Sequence, residues 1–223
     1  MREISKVPSL LALPIAELLE RFAAAKLTPG AGSAAALLGA VAGSLVQAAA
    51  RYAIKEKQRE AESPFRERAT ILLADARERS VRLEQAVEED AAAFDRFWQL
   101  LGQLRGAKDE EKADLQARIS EALRQATDVP LGIARQCAAL AESGLELYER
   151  GHRKARGEAG TAVLSALAGA ESALHTARLN LQSAASAPWV DGRRAEIRGL
   201  RYQLLVLRQR VESVLDAEEP AGG

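Results

Sequence analysis

The stretch PGAGSAAALLGAVAGSLVQAAARYAIK, residues 29–55, decides the fold. From Leu27 to Ala50 it carries no charged residue, and most of its side chains are Ala, Gly or Ser. Its length would span a bilayer. Pro29, Gly30 and Gly32 break its first part, however, and Gln47 with the many small residues leaves the remainder weakly hydrophobic for insertion. A helix apolar on every side is also what a fully surrounded bundle helix requires. The Gly39-x-x-x-Gly43 pair adds a small-residue face for close backbone approach. A tightly packed central helix is therefore expected, beginning at Ser33 as N-cap after the Thr28-Pro29-Gly30-Ala31-Gly32 turn.

Outward from this segment, Pro, Gly and charge runs divide the chain into helices at about 15–25, 33–57, 64–103, 109–149, 158–186 and 190–216. No strand pattern competes. Aromatic residues make up only 4% of the 223 residues, so Ala, Leu and Val must supply the packing. The expectation is an all-α, single helical-bundle domain over 1–216 with a long central Ala/Gly-rich helix, and a frayed tail at 217–223. Arg2, Lys6 and the apolar run from Val7 to Ala16 superficially resemble a signal peptide, but Glu17, Glu20 and Arg21 fit the polar face of an amphipathic helix. Leu18, Leu19 and Phe22 would then turn inward, and the start reads as cytoplasmic.

Thirty-one basic residues balance 31 acidic ones, which removes the electropositive field of a dedicated nucleic-acid binder. Arg193, Arg194, Arg198, Arg201, Arg208 and Arg210 would revive that reading only on one contiguous face. A single cysteine, Cys137, and two histidines, His152 and His175, leave no zinc set. Membrane, nucleic acid and metal are thus not expected as partners.

Three features carry candidate chemistry. The 29–33 turn, followed by a helix, offers unpaired N–H groups and a positive helix end to polar or anionic ligand atoms, or is simple capping. In the third helix Leu83, Val87, Asp90, Phe94, Phe97 and Leu101 form one stripe containing a carboxylate. A carboxyl there must be paired, protonated or cleft-facing. It is either a group that handles protons near neutral pH or a structural Asp bonded to a neighbouring helix. Glu88, Glu89 and Asp95 are expected to be solvated beside it. Pro130 should kink or interrupt the fourth helix, and His175 should pair with Glu171 four residues earlier. The Gly151–Glu158 connection is basic and glycine-bounded. The last stripe, Ile197, Leu200, Leu204, Leu207, Val211 and Val214, fits a core or a subunit contact.

The 29–35 segment leading to Lys55 resembles the PGGGS-led helix of the formiminotetrahydrofolate cyclodeaminase and methenyltetrahydrofolate cyclohydrolase family. Val87–Phe94 is similar to its acidic DxDAxAF-like stretch, Ala126–Leu131 to its A-x-x-VPL turn, and Leu179-Asn180-Leu181 to its I-N-L segment, all in order. The resemblance covers about residues 10–212. It implies an all-α homodimer with a reduced-folate cleft near the subunit contact and no cofactor beyond the tetrahydrofolate substrate. It further implies Asp90 as acid/base, and Gly30, Gly32, Ser33, Lys55, Glu158 and Asn180 as substrate-binding residues, with Lys55 on a folate carboxylate. Cyclodeamination of 5-formiminotetrahydrofolate to 5,10-methenyltetrahydrofolate, releasing ammonia, is the first activity it implies. The cyclohydrolase reaction is the alternative, and a catalytically reduced member binding a ligand or partner protein is a third reading. The chain departs from the family pattern at Ala31, Ile54, Glu88, Gly157, Glu158 and Thr176. A turn needing positive φ at Ala31 would be strained.

Overall fold

A computed structural model describes residues 9–55, 64–184 and 187–216. Six helices follow in order: α1 Ile15–Ala23, α2 Ala31–Lys55, α3 Pro64–Leu104, α4 Asp109–Arg150, α5 Arg156–Ser183 and α6 Val190–Asp216. Short 3-10 turns cover Leu10–Ala12 and Arg153–Ala155, and no strand occurs among the described residues. The expected tail at 217–223, the start of the signal-like run and the outer ends of two expected helices (56–57 and 185–186) lie outside the described residues.

Helix α2 is the centre, packed against α3, α4 and α5. The reason is its lack of bulk. A Cβ on Gly39 would fall 2.5 Å from Cys137 Sγ of α4 and 3.0 Å from the Leu83 methyls of α3, so the three backbones close in only because that position is glycine. Gly32 meets Asp90, Gly39 meets Leu83 and Gly43 meets Ser80, so α2 and α3 run antiparallel. On its other flank, Gly169 of α5 seats against the Ala35 carbonyl. The helix is long and apolar enough to cross a membrane, yet its small-residue face is the core of the bundle. Cys137 is buried there, and burial pushes its thiol up to about 12.

Helix α6 lies outside α4 and α5. Its stripe of Ile197, Leu204, Leu207 and Val211 is buried, and Leu200 and Val214 pack against the same core. Between core and subunit contact, the structure decides for the core. Arg193 forks onto both Asp128 oxygens at 2.6 and 3.0 Å, Arg208 meets Glu171, and Arg210 meets Glu149. Arg194 pairs with Asp191. Four of the six arginines that might have formed a basic face are thereby bound to carboxylates. Glu171 is taken by Arg208 rather than by His175, which corrects the expected pair.

The helices differ from expectation where tertiary partners intervene. Helix α4 continues through Pro130 without interruption. Of the α1 side chains expected inward, Leu18 is buried and Phe22 half-buried, but Leu19 is exposed. Helix α2 begins two residues early, with the Gly30 carbonyl accepting from Ala34 N–H at 3.0 Å. Ser33 is therefore not its N-cap. Ala31 escapes the anticipated strain, because the only positive-φ residue among those described is Ala25 at φ 52°.

Candidate active site

The candidate site forms where the start of α2 meets the middle of α3. Asp90 projects from the α3 stripe at Gly32, where an added Cβ would lie 2.0 Å from Asp90 Oδ1 and 2.4 Å from its Cγ. Glycine at 32 is thus what lets a carboxyl reach the opening turn of α2. Ser33, fully buried, donates its hydroxyl to the Val87 carbonyl at 2.8 Å and lies 3.2 Å from Asp90 Oδ2. A hydroxyl carries one proton. Both contacts are satisfied together when Asp90 is protonated and donates to Ser33 Oγ; when Asp90 is ionised, the Ser33 hydroxyl donates its hydrogen bond to Asp90 Oδ2 in place of Val87.

The carboxyl is only 8% exposed, and burial raises its pKa above the usual carboxylate range. The Ser33 hydroxyl and backbone N–H act in the opposite direction, since both hydrogen bonds favour the anion. Unlike the solvated carboxylates expected around it, Glu88 accepts from Ser9 Oγ at 2.8 Å and from the Leu10 N–H, and Asp95 accepts from Thr28 Oγ1 at 2.9 Å. These bonds tie the N-terminal segment and the 28–30 turn to α3. Glu89 alone of the three is exposed. Among the described residues no group of three His, Cys, Asp or Glu side chains is placed to hold a metal ion.

Gly30, Gly32, Ser33 and Asp90 are therefore brought together, whereas Lys55 and Glu158 are not. Lys55 is exposed at the far end of α2, about 33 Å along the helix from Ser33 by its rise per residue. Glu158 sits half-buried in the first turn of α5, beside the Arg153–Ala155 turn that His152 caps by accepting from Lys154 N–H at 3.0 Å. Tyr52 of α2 and His152 approach with ring centroids 6.1 Å apart, which fixes that loop at the Lys55 end. One chain does not bring Lys55 or Glu158 to Asp90.

Asn180 has a definite partner. Its Nδ2 donates at 2.7 Å to the Ala126 carbonyl. That carbonyl is the one an N–H at position 130 would have taken, and Pro130 has none. Asn180 thereby supplies the hydrogen bond that Pro130 withholds from α4, a link that the sequence hinted at only through the proline's i−4 neighbour.

An all-helical bundle with a glycine turn cradling a buried aspartate is the class this geometry defines. The chain belongs to the family described as Formiminotransferase-cyclodeaminase, whose profile matches residues 14–199. It is similar to a methenyltetrahydrofolate cyclohydrolase of Methylorubrum extorquens, 33% identical over 194 residues, 86% of this chain and 91% of that protein. The crystal structure of formiminotetrahydrofolate cyclodeaminase from Thermotoga maritima superposes with a TM-score of 0.80 at 19% identity, covering 93% of this chain and 98% of the other.

Proposed function

We propose that the chain is a folate one-carbon enzyme acting at the 5,10-methenyl level of tetrahydrofolate, with hydrolysis of 5,10-methenyltetrahydrofolate to the 10-formyl form as the first reading. The observation that carries the chemistry is Asp90, a desolvated carboxyl with a raised pKa beside a hydroxyl and the start of a helix. Similarity to the Methylorubrum extorquens cyclohydrolase over most of both chains supports hydrolysis. Cyclodeamination of 5-formiminotetrahydrofolate, the first activity implied by the sequence motifs, is the second reading, supported by the family's description.

Both reactions need one group that takes a proton and returns it. In hydrolysis, water adds to the methenyl carbon while the Asp90 carboxylate removes one of its protons, giving a neutral carbinolamine. The C–N5 bond then breaks as the remaining hydroxyl proton leaves and N5 is protonated by Asp90, so one proton is released overall. In cyclodeamination, N10 attacks the carbon of the protonated formimino group, the Asp90 carboxylate takes the N10 proton, and the acid so formed returns it to the amino nitrogen, so that the C–N bond breaks and ammonia leaves. Ser33, able to turn its hydroxyl between Val87 and Asp90, supports both protonation states, and Gly32 leaves the space into which the Asp90 carboxyl fits.

Purified chain offered each substrate tests this reading. Loss of the methenyl chromophore without ammonia supports hydrolysis, and ammonia release from 5-formiminotetrahydrofolate supports cyclodeamination. Absence of both, with no rise in melting temperature at saturating reduced folate, refutes the enzyme reading in favour of a partner-binding member of the fold.

A further inference from the structure

The groove between α5 and α6 holds arginines that neither the packing nor the folate chemistry uses. The two helices run antiparallel, since Arg208 late in α6 reaches Glu171 of α5, while Arg178, further along α5, shares a cavity with the earlier Arg198 and Arg201. Arg194, Arg198, Arg201 and Arg208 recur in steps of four, three and seven residues, one stripe of α6 along the groove. Both ends of the stripe are neutralised, Arg208 by Glu171 at 2.9 Å and Arg194 by Asp191 at 3.2 Å. Arg193 and Arg210 hold Asp128 and Glu149. Among the described residues Arg198 and Arg201 are thus the α6 arginines left without a carboxylate, and Arg178 across the groove has none either.

Three guanidiniums therefore gather where no protein anion cancels them. Arg198 and Arg201 stand one turn apart, with Cβ atoms about 5–6 Å from each other, and like charges at that spacing destabilise a helix. Around them lies a cavity of about 470 Å³, the size of a small-ligand site, with buried Leu174 and Leu204 in its lining. It continues past Leu181 and Gln182 beside the same three arginines. On the rim Tyr202 is 69% exposed and Leu205 54%. We propose that this groove binds a small organic phosphate, a nucleoside diphosphate in chemical class, with the phosphates on Arg178, Arg198 and Arg201 and the ring against Tyr202.

The spacing of the free cations selects a compact anion. They span only about 5 Å along α6 by its rise per residue, whereas a nucleic-acid strand is tracked by a groove that is cationic along its length. Here the two ends are already neutral, which equally disfavours an extended acidic peptide. Phosphate suits the site better than carboxylate because forks arriving from two helices need acceptor oxygens in more than one plane, and a phosphate group presents three of them with up to two charges. The apolar lining and the exposed tyrosine match the flat face of a ring, which an inorganic ion lacks. Asp90 lies elsewhere, where α2 meets α3, while α6 packs on α4 and α5. Binding in the groove is accordingly independent of the folate reading.

Calorimetric titration of the full chain with ADP tests this. One site is expected, weakened about tenfold or more by the pair Arg198→Gln and Arg201→Gln, and likewise by Arg178→Gln alone. The helical spectrum should be kept, because all three side chains are exposed. Arg124→Gln, at an arginine engaged by Glu121 on α4, should change the Kd less than about twofold. Adenosine and inorganic pyrophosphate should each bind about tenfold more weakly than ADP, and Tyr202→Ala should bring ADP down to the level of pyrophosphate.

No binding of ADP at millimolar concentration, binding that the arginine variants leave intact, or pyrophosphate binding as tightly as ADP overturns the proposal. So does displacement of ADP by a reduced folate, which would make the groove part of the folate site. Tighter binding of a single-stranded oligonucleotide, or of vesicles containing phosphatidic acid, overturns it too, since the ligand would then be a polymer or a membrane surface.

Discussion

The bond from Asn180 to the Ala126 carbonyl makes a quantitative demand. Asn180→Ala removes the donor and leaves in a buried region a carbonyl that Pro130 has already deprived of its helical partner. An unsatisfied buried acceptor costs about 1–3 kcal/mol. Taking roughly 2 kcal/mol, a chain of this size should lose about 4–8 °C in melting temperature. The decisive comparison repeats the substitution in Pro130→Ala, where a returned N–H bonds Ala126 within α4. There Asn180→Ala should cost under about 1 kcal/mol, a coupling of about 1–2 kcal/mol between residues fifty positions apart in sequence. Urea unfolding of the four proteins measures it. Equal costs in both backgrounds, with coupling below about 0.5 kcal/mol, would refute the reasoning. So would Asn180→Ala that keeps its melting temperature and loses turnover, since Asn180 would then act on substrate, as the family resemblance implies.

Three further outcomes are expected. Gly32→Ala forces a methyl into the Asp90 carboxyl and should cost about 1–3 kcal/mol by overpacking while cutting turnover severely; a variant as stable and active as the parent would show that Asp90 moves away freely. Burial holds Asp90 above its unfolded pKa, so its ionisation opposes folding as pH rises through the raised native value and has no effect below the unfolded one. Asp90→Asn should therefore be more stable than the parent at neutral pH, with the gap closing towards about pH 4, and a gap that widens on acidification in thermal melts would contradict this. Ala25, at φ 52° just beyond α1, should gain about 0.5–1 kcal/mol on replacement by Gly; a loss of stability in denaturant titration would show that the position is not strained.

Much of the bundle was legible in the sequence because helix rules are local. The charge-free run of small residues marked α2, Gly39 and Gly43 marked its close face, and the four-and-three stepping of Leu83, Val87, Asp90 and Phe97 placed a carboxylate on a buried stripe. What escaped depends on partners distant along the chain. Ser33 looked like a cap because Ser favours that position, yet its hydroxyl is drawn to Val87 and Asp90, and the helix starts earlier at Ala31. Glu171 had a histidine one turn away, but Arg208 on α6 offers a bidentate-capable cation. Lys55 follows the glycine turn closely in sequence, and only the rigid rise of a helix shows how far it stands from Asp90 in one chain.

The central claim is that Asp90 moves the proton in folate one-carbon chemistry. Steady-state turnover of Asp90→Asn beside the parent, on whichever of 5,10-methenyltetrahydrofolate and 5-formiminotetrahydrofolate the parent consumes, tests it most directly, because asparagine keeps the shape and cannot exchange a proton. Turnover is predicted to fall about a hundredfold or more, the scale of a lost general acid or base, with the fold kept and the melting temperature at or above that of the parent. An asparagine variant that turns over at the parental rate would contradict the claim and leave Asp90 a structural carboxyl bonded to Ser33.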